Sequence, residues 1–394
     1  MKKVKLAVIG YGNLGSSHVS KIVKGACPDI EVVAICDIKP ERIAKAKEKY
    51  GDTMTYFDDA ETMLDSGLAN AVLVATPHYD HPKYAIMSMK KGLHVMVEKP
   101  AGVDAKQVLE MNAVAKECNV VFAMMFNQRT NCIYRKMREI VQSGEMGALR
   151  RTNWIITDWY RPQAYYDSGD WRATWSGEGG GVLLNQCPHN LDLWQWICGM
   201  PKTVYAKMHF GKWHDIEVED DVTAYVEYEN GATGCFVTTT GDTPGTNRFE
   251  ITMEKGKIVA EIENKEMSLK LWKCEEDMTE PEFSKTNTEL FGHMHFTPVE
   301  VETDGLNEQH MGVFRAFSDA ILYGKPLIAG GEEGINGLLL SNAMHLSAWT
   351  GKDVEIATMD HELFYEELMK RVKTSRRKVV AEVDAVDLDG TYGS

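Results

Sequence analysis

Val4-Lys5-Leu6-Ala7-Val8-Ile9-Gly10-Tyr11-Gly12-Asn13-Leu14-Gly15 runs a strand-like apolar stretch straight into a glycine turn. Helical periodicity follows from Leu14 to Val23, so the three glycines stand between a strand and the start of a helix. In that setting Gly10 permits a tight turn, Gly12 lets backbone approach a pyrophosphate, and Gly15 lets helix and sheet pack closely. Tyr11, Asn13 and Leu14 complete the loop, whose N–H groups and helix dipole favour a bound phosphate. A second apolar run, Glu31 to Cys36, ends at Asp37. A carboxylate there is expected to accept hydrogen bonds from ribose hydroxyls and to repel a 2′-phosphate. The expected cofactor is therefore NAD rather than NADP, with Lys39 and Arg42 as nearby cations.

Working outward, short apolar runs alternate with helical stretches: a charged helix over Glu41–Tyr50, then strands at 71–75, 93–97 and 120–124. Continuous apolar strands separated by helices imply a parallel sheet covered on both faces. Residues 1–125 are thus read as a doubly wound Rossmann domain in an α/β chain. After about residue 150 strand-like runs come without helices, at 202–209, 221–229, 232–239, 247–253, 257–262 and 268–273. Asn230-Gly231 and Lys255-Gly256 mark turns between them. Residues 126–394 are read as an α+β domain on a mostly antiparallel sheet, entered through a helix near 188–198. The stretch 275–309 lacks periodicity and is expected to be an insertion or lid, with His293-Met294-His295 closing over the site. Helices are expected at 310–323, 333–350 and 361–373, partly packing back on the first domain. The tail from Lys378 carries one more apolar alternation and a polar end.

The 394 residues suffice for two domains. With 43 basic against 58 acidic residues the net charge is −15, which disfavours nucleic acid and anionic membranes as partners. No apolar run approaches a membrane span or a secretion signal, and the eight cysteines show no C-x-x-C spacing. A cytoplasmic protein with reduced thiols is expected.

Val97-Glu98-Lys99-Pro100 ends a strand, and Gly179-Gly180-Gly181 precedes His189. With the glycine turn, Asp37, Phe317-Ser318-Asp319-Ala320-Ile321 and Ser347-Ala348-Trp349-Thr350-Gly351-Lys352, the chain resembles the glucose-fructose oxidoreductase / inositol dehydrogenase / MocA (Gfo/Idh/MocA) family. The resemblance implies a Rossmann domain followed by a domain with a large open sheet for substrate binding and oligomerisation. It also implies NAD(P)-dependent oxidation or reduction of a hydroxyl on sugars or cyclitols, in dimers or tetramers. Lys99, at the carboxyl end of a parallel strand, points to the crevice where ligands bind in such sheets and would polarise the reacting oxygen. His189 would take the hydroxyl proton, with Pro188 starting its helix and Asp192 able to share its face. The family usually has aspartate where this chain has Asn185; an amide cannot act as proton acceptor in its place but can still orient a substrate hydroxyl, so Asn185 is expected beside Lys99 and His189 in the catalytic group.

Glu98, Lys99, Thr76, Pro77, His78 and His81 are expected at the cofactor; the last two form H-x-x-H without a third ligand, so no metal is expected. Aromatic residues crowd 154–175, interleaved with charges that suit sugar hydroxyls. Trp171-Arg172, Asn127, Arg129, Tyr160 and Asp192 are the expected substrate contacts. The leading reading is an NAD-dependent dehydrogenase of a ring hydroxyl on a sugar, glycoside or cyclitol, with C3 of a glucoside-like ring attractive. Redox-assisted glycoside cleavage and a non-catalytic NAD-binding regulator are the alternatives.

Overall fold

The computed structural model describes residues 3–376, so the alternation read beyond Lys378 lies outside the described residues. Six parallel strands form the first sheet: β1 (Val4–Ile9), β2 (Ile30–Cys36), β3 (Thr55–Phe57), β4 (Ala71–Val74), β5 (His94–Val97) and β6 (Phe122–Met124). Their order is β3-β2-β1-β4-β5-β6, the arrangement that opens a ligand crevice where strand order reverses between β1 and β4. Helices α1 (Asn13–Val23), α2 (Pro40–Tyr50), α3 (Ala60–Asp65), α4 (Asp80–Lys90) and α5 (Ala105–Glu117) connect the strands. Asp59 and Asp104 cap α3 and α5 with their side chains, whereas no side chain caps α1. The first N–H groups of α1 are therefore left to a ligand.

Helix α6 (Cys132–Gln142) leads into β7 (Leu149–Ile156); α7 (Gln163–Asp167) and α8 (Pro188–Cys198) follow. The strands β8 (Thr203–Phe210), β9 (Glu219–Glu227), β10 (Thr233–Thr239), β11 (Asn247–Met253), β12 (Gly256–Glu263) and β13 (Glu266–Cys274) come next. After α9 (Glu280–Thr286), β14 (Phe296–Val299) closes one edge, and β15 (Val354–Glu355) closes the other. The nine-stranded order is β14-β13-β12-β11-β7-β10-β9-β8-β15. All pairs are antiparallel except β7 with β10. The sheet is thus mostly antiparallel, but its central strand, β7, was not legible as one. Trp154, counted from sequence among the binding-loop aromatics, lies in β7, fully buried and stacked 4.1 Å from Phe249.

The remaining helices are α10 (Gln309–Tyr323), α11 (Gly334–Thr350) and α12 (His361–Lys373). α10 puts Val313, Phe314 and Phe317 into the apolar cluster of Val4, Leu6 and Val8 beneath the parallel sheet. The expected lid has a different place: β14 pairs with β13 at the sheet edge, and His295 bonds Glu276 at the surface, 2.9 Å away. A capping box at Thr279 and Glu282 organises the short helix between them.

Candidate functional site

At the cofactor end the glycines meet hard steric limits. Gly10 has φ +96°, and a Cβ there would lie 2.4 Å from the Ala75 carbonyl oxygen. A Cβ on Gly15 would lie 2.0 Å from the Gly10 oxygen, so α1 starts flush against the turn only with hydrogen at that position. Beside Gly12 the nearest group is the Arg42 side chain, 3.6 Å from where a Cβ would be. Asp37 is buried and accepts the Tyr11 N–H at 2.7 Å, the Lys39 N–H at 2.9 Å and Arg42 at 3.1 Å. The carboxylate expected to face ribose therefore also moulds the turn. Thr76, just past β4, has a buried hydroxyl with no partner among the described residues. The uncapped helix, the glycine cradle and this unpartnered hydroxyl fit a dinucleotide.

His78 and His81, which follow Pro77, are engaged by backbone carbonyls. His81 spans the Pro100 and Thr76 carbonyl oxygens at 2.6 and 2.7 Å, tying loop to loop and leaving neither nitrogen for a cofactor. His78 lies 3.2 Å from the Glu178 carbonyl, edge-on to Trp171. Burial pushes both imidazoles below their ordinary range, and for His78 the effect is large.

Glu98 is buried and bonds His18 at 2.6 Å; burial opposes its charge, but the His18 contact holds its pKa at about 2. His310, at the start of α10, comes within 5.1 Å of the His18 ring, and burial lowers it to about 4. The donor atoms of His18, Glu98 and His310 all lie within 4.8 Å of one another, a grouping the sequence reading did not assemble. Lys99 joins a cis peptide to Pro100 and donates from Nζ to the Asn185 carbonyl oxygen at 2.9 Å. Burial brings its pKa down to about 8 against the opposing pull of Glu98 and Glu178. Asn185 lies in the turn before α8, so this bond ties the end of β5 to the segment launching His189.

His189 is 4% exposed and neither ring nitrogen has a partner among the described residues. Burial first, and then the neighbouring Lys99 and His310, push its pKa well down, so the imidazole is held neutral with a lone pair that no described side chain occupies. It lines a cavity of about 30 Å³ with Gln128, Asn131, Trp159, Asn190 and Asn247. The Trp159 indole N–H and the Asn190 oxygen are likewise buried without partners.

Three expected substrate contacts, Arg129, Asp192 and Asn127, are engaged by partners within the protein. Arg129 is buried and bidentate to Asp192 at 2.7 and 2.8 Å, with Glu333 at 2.7 Å. Asp192 is thus turned to Arg129, not to His189, because a buried guanidinium requires carboxylates. Asn127 is also fully buried, its amide donating to Gln309. Trp171 packs on His78, and Arg172 donates to the Tyr165 hydroxyl at 2.9 Å and lies over that ring. Tyr160 is half exposed. Sequence reasoning counted Trp159 among the aromatics of 154–175, and missed Glu178, Gln128, Asn131, Asn190 and His18. Of these only His18 carried a signal, a lone imidazole on the helix that follows the glycine turn.

Residues 4–126 match a model described as an oxidoreductase family with NAD-binding Rossmann fold, and residues 134–259 match a GFO/IDH/MocA C-terminal domain. A D-glucoside 3-dehydrogenase of Escherichia coli is 28% identical over 58% of this chain and 68% of its own length. A myo-inositol 2-dehydrogenase of Thermotoga maritima is 23% identical over 90% of this chain and 98% of its own. Among solved structures, the WlbA dehydrogenase of Bordetella pertussis in complex with NADH and UDP-GlcNAcA superposes with a TM-score of 0.75. It is 25% identical, with 90% of this chain and 98% of that one covered.

Proposed function

The chain belongs to the Gfo/Idh/MocA family of NAD-binding oxidoreductases, and from that premise we propose that it oxidises a ring hydroxyl of a sugar, glycoside or cyclitol, and that Lys99 and His189 carry the reaction. The observation that carries this reading is the neutral, unpartnered His189 in a buried cavity that Asn131, Asn190 and Asn247 share with Leu193, Ile262 and Met267, coupled by charge to the Lys99 ammonium. NAD, when bound on Gly10, Gly12, Gly15 and Asp37, supplies the acceptor for the hydride that leaves the carbinol carbon. Lys99 stabilises negative charge on the substrate oxygen, and His189 takes its proton as the C–O bond becomes a carbonyl. Trp159, Asn190, Trp171, Arg172 and Tyr160 provide aromatic and polar contacts suited to a hydroxylated ring.

The name of the 28%-identical relative favours C3 of a glucoside, and that of the relative matched over most of both chains favours inositol. Both names are dehydrogenases, which favours simple oxidation over bond cleavage or a regulatory role. Residues 1–125 act as the cofactor domain and 126–394 as the substrate domain. Eight unpaired thiols support a cytoplasmic site, and no helix among the described residues is long and apolar enough to cross a membrane. The outer face of the nine-stranded sheet, with Ile155 and Tyr225 exposed, supports a homodimer or homotetramer.

The test is incubation of the purified protein with NAD and a panel of glucosides, free sugars and inositols, following NADH. NADH with a ketone product is expected. Bond cleavage without net NADH would replace this reading with redox-assisted hydrolysis, and NAD binding with neither would replace it with a regulatory one.

A further inference from the structure

Asn185 is the departure in this site, and the structure sets a carboxylate against it. Glu178 is 2% exposed and accepts the Asn185 side-chain N–H through Oε1. Its Oε2 accepts the Ala173 N–H at 2.6 Å. Ala173 holds that N–H in place from φ +52°, a left-handed conformation that is unfavourable for alanine. With its amide nitrogen turned to Glu178, Asn185 points Oδ1 at the Tyr165 hydroxyl, 3.1 Å away, and at the Gln186 amide, 3.2 Å away. On its backbone side the same residue holds the Lys99 ammonium. An aspartate at 185 would face Glu178 carboxylate to carboxylate, so the two positions accommodate one negative charge between them.

We propose that Glu178 is a positioning residue that carries the charge an aspartate at 185 would carry, orienting the Asn185 amide and keeping a negative group beside Lys99. This rests on the hydride-transfer reading of Lys99 above. Glu178 is faced by Arg172 and Ala173 of its own loop, Lys99 after β5, Glu219 on β9, and His78 after β4. Arg161 and Tyr165 complete this surround, Tyr165 passing the contact from Asn185 to Arg172. Lys99 works protonated, and a nearby anion keeps its proton on to higher pH.

The experiment compares Glu178→Gln, Asn185→Asp/Glu178→Gln and Glu178→Asp with wild type, following NADH formation against pH. In parallel, the pH dependence of Lys99 acetylation by trace acetic anhydride, read by mass spectrometry, reports its ionisation without turnover. The glutamine variant is expected to bind NAD normally, to lose tenfold or more in kcat with KM little changed, and to have its alkaline limb and Lys99 titration moved to lower pH. The transposed double variant and the aspartate variant should bring both back towards wild type. An unmoved Lys99 titration in Glu178→Gln overturns the proposal. If Glu178→Gln does not fold, the double variant decides: recovery of fold and of the Lys99 titration supports transposition, and failure of either overturns it. Absence of NADH from every substrate with wild type would overturn the hydride-transfer reading. The acetylation profiles would still decide for or against Glu178.

Discussion

Lys99 is pulled two ways, by burial towards the neutral amine and by Glu98 and Glu178 towards the ammonium, with a balance near pH 8. Since the charged form is the useful one, kcat/KM is expected to fall as pH rises through about 8, and a rate profile flat to pH 10 would contradict this. Lys99→Met and His189→Ala should each lower kcat by roughly 10²–10⁴-fold, the usual range for a positioned acid or base. Near-wild-type turnover in both would remove the two residues from the chemistry. Arg129 calls for a different measurement. Its guanidinium and Asp192 are each 1% exposed in their side chains, so Arg129→Met leaves a buried carboxylate with its strongest partner gone. A loss of about 3–5 kcal/mol in denaturant unfolding is expected, with KM changing little in whatever protein remains folded. An unaltered midpoint with a raised KM would return Arg129 to the substrate wall.

Among elements, α1 shows how much its sequence could say. The strand, the three glycines and the helix were all legible because each residue there answers a local steric demand, as the Gly15 contact shows. Gly15→Ala should abolish NAD binding measured by fluorescence quenching, and retained affinity would mean that the turn can relax. The strands β8 to β13 were also legible, since alternating burial leaves a period-two pattern, as along β9. β7 was not: it is flanked on both sides by strands far away in sequence, and its Trp154 opens a run of aromatics that resembles a binding loop. The site was legible only where motifs recur. Glu178 and Asn190 are single polar residues whose meaning comes from packing, and the Arg129–Asp192 pair spans 63 positions that no local pattern links. The His18, Glu98 and His310 group was likewise invisible, because α10 arrives from nearly three hundred residues away. His18 and Glu98 already satisfy one another through a 2.6 Å hydrogen bond, so turnover should be indifferent to prolonged chelation, checked together with metal analysis of the protein. Loss of activity restored by a divalent ion would assign the group to a metal.

For the whole molecule, the open face of the nine-stranded sheet carries the assembly prediction. Ile155 and Tyr225 are 40% and 42% exposed on strands whose other side is core. Changing both to lysine should shift light-scattering mass to that of one chain, while an unchanged mass would locate the contact elsewhere. The position of α10 has a consequence in time. Val313, Phe314 and Phe317 complete the underside of a sheet whose last strand ends at Met124. A ribosome adding on the order of ten residues per second finishes that sheet many seconds before its cover emerges. Through that interval the nascent chain holds an apolar layer of Val4, Leu6 and Val8 that Val19 and Ile22 of α1 cover only in part, the kind of surface chaperones engage. The part made first is thus among the last to be finished, and a stop codon anywhere before α10 would release a nucleotide fold whose floor is incomplete.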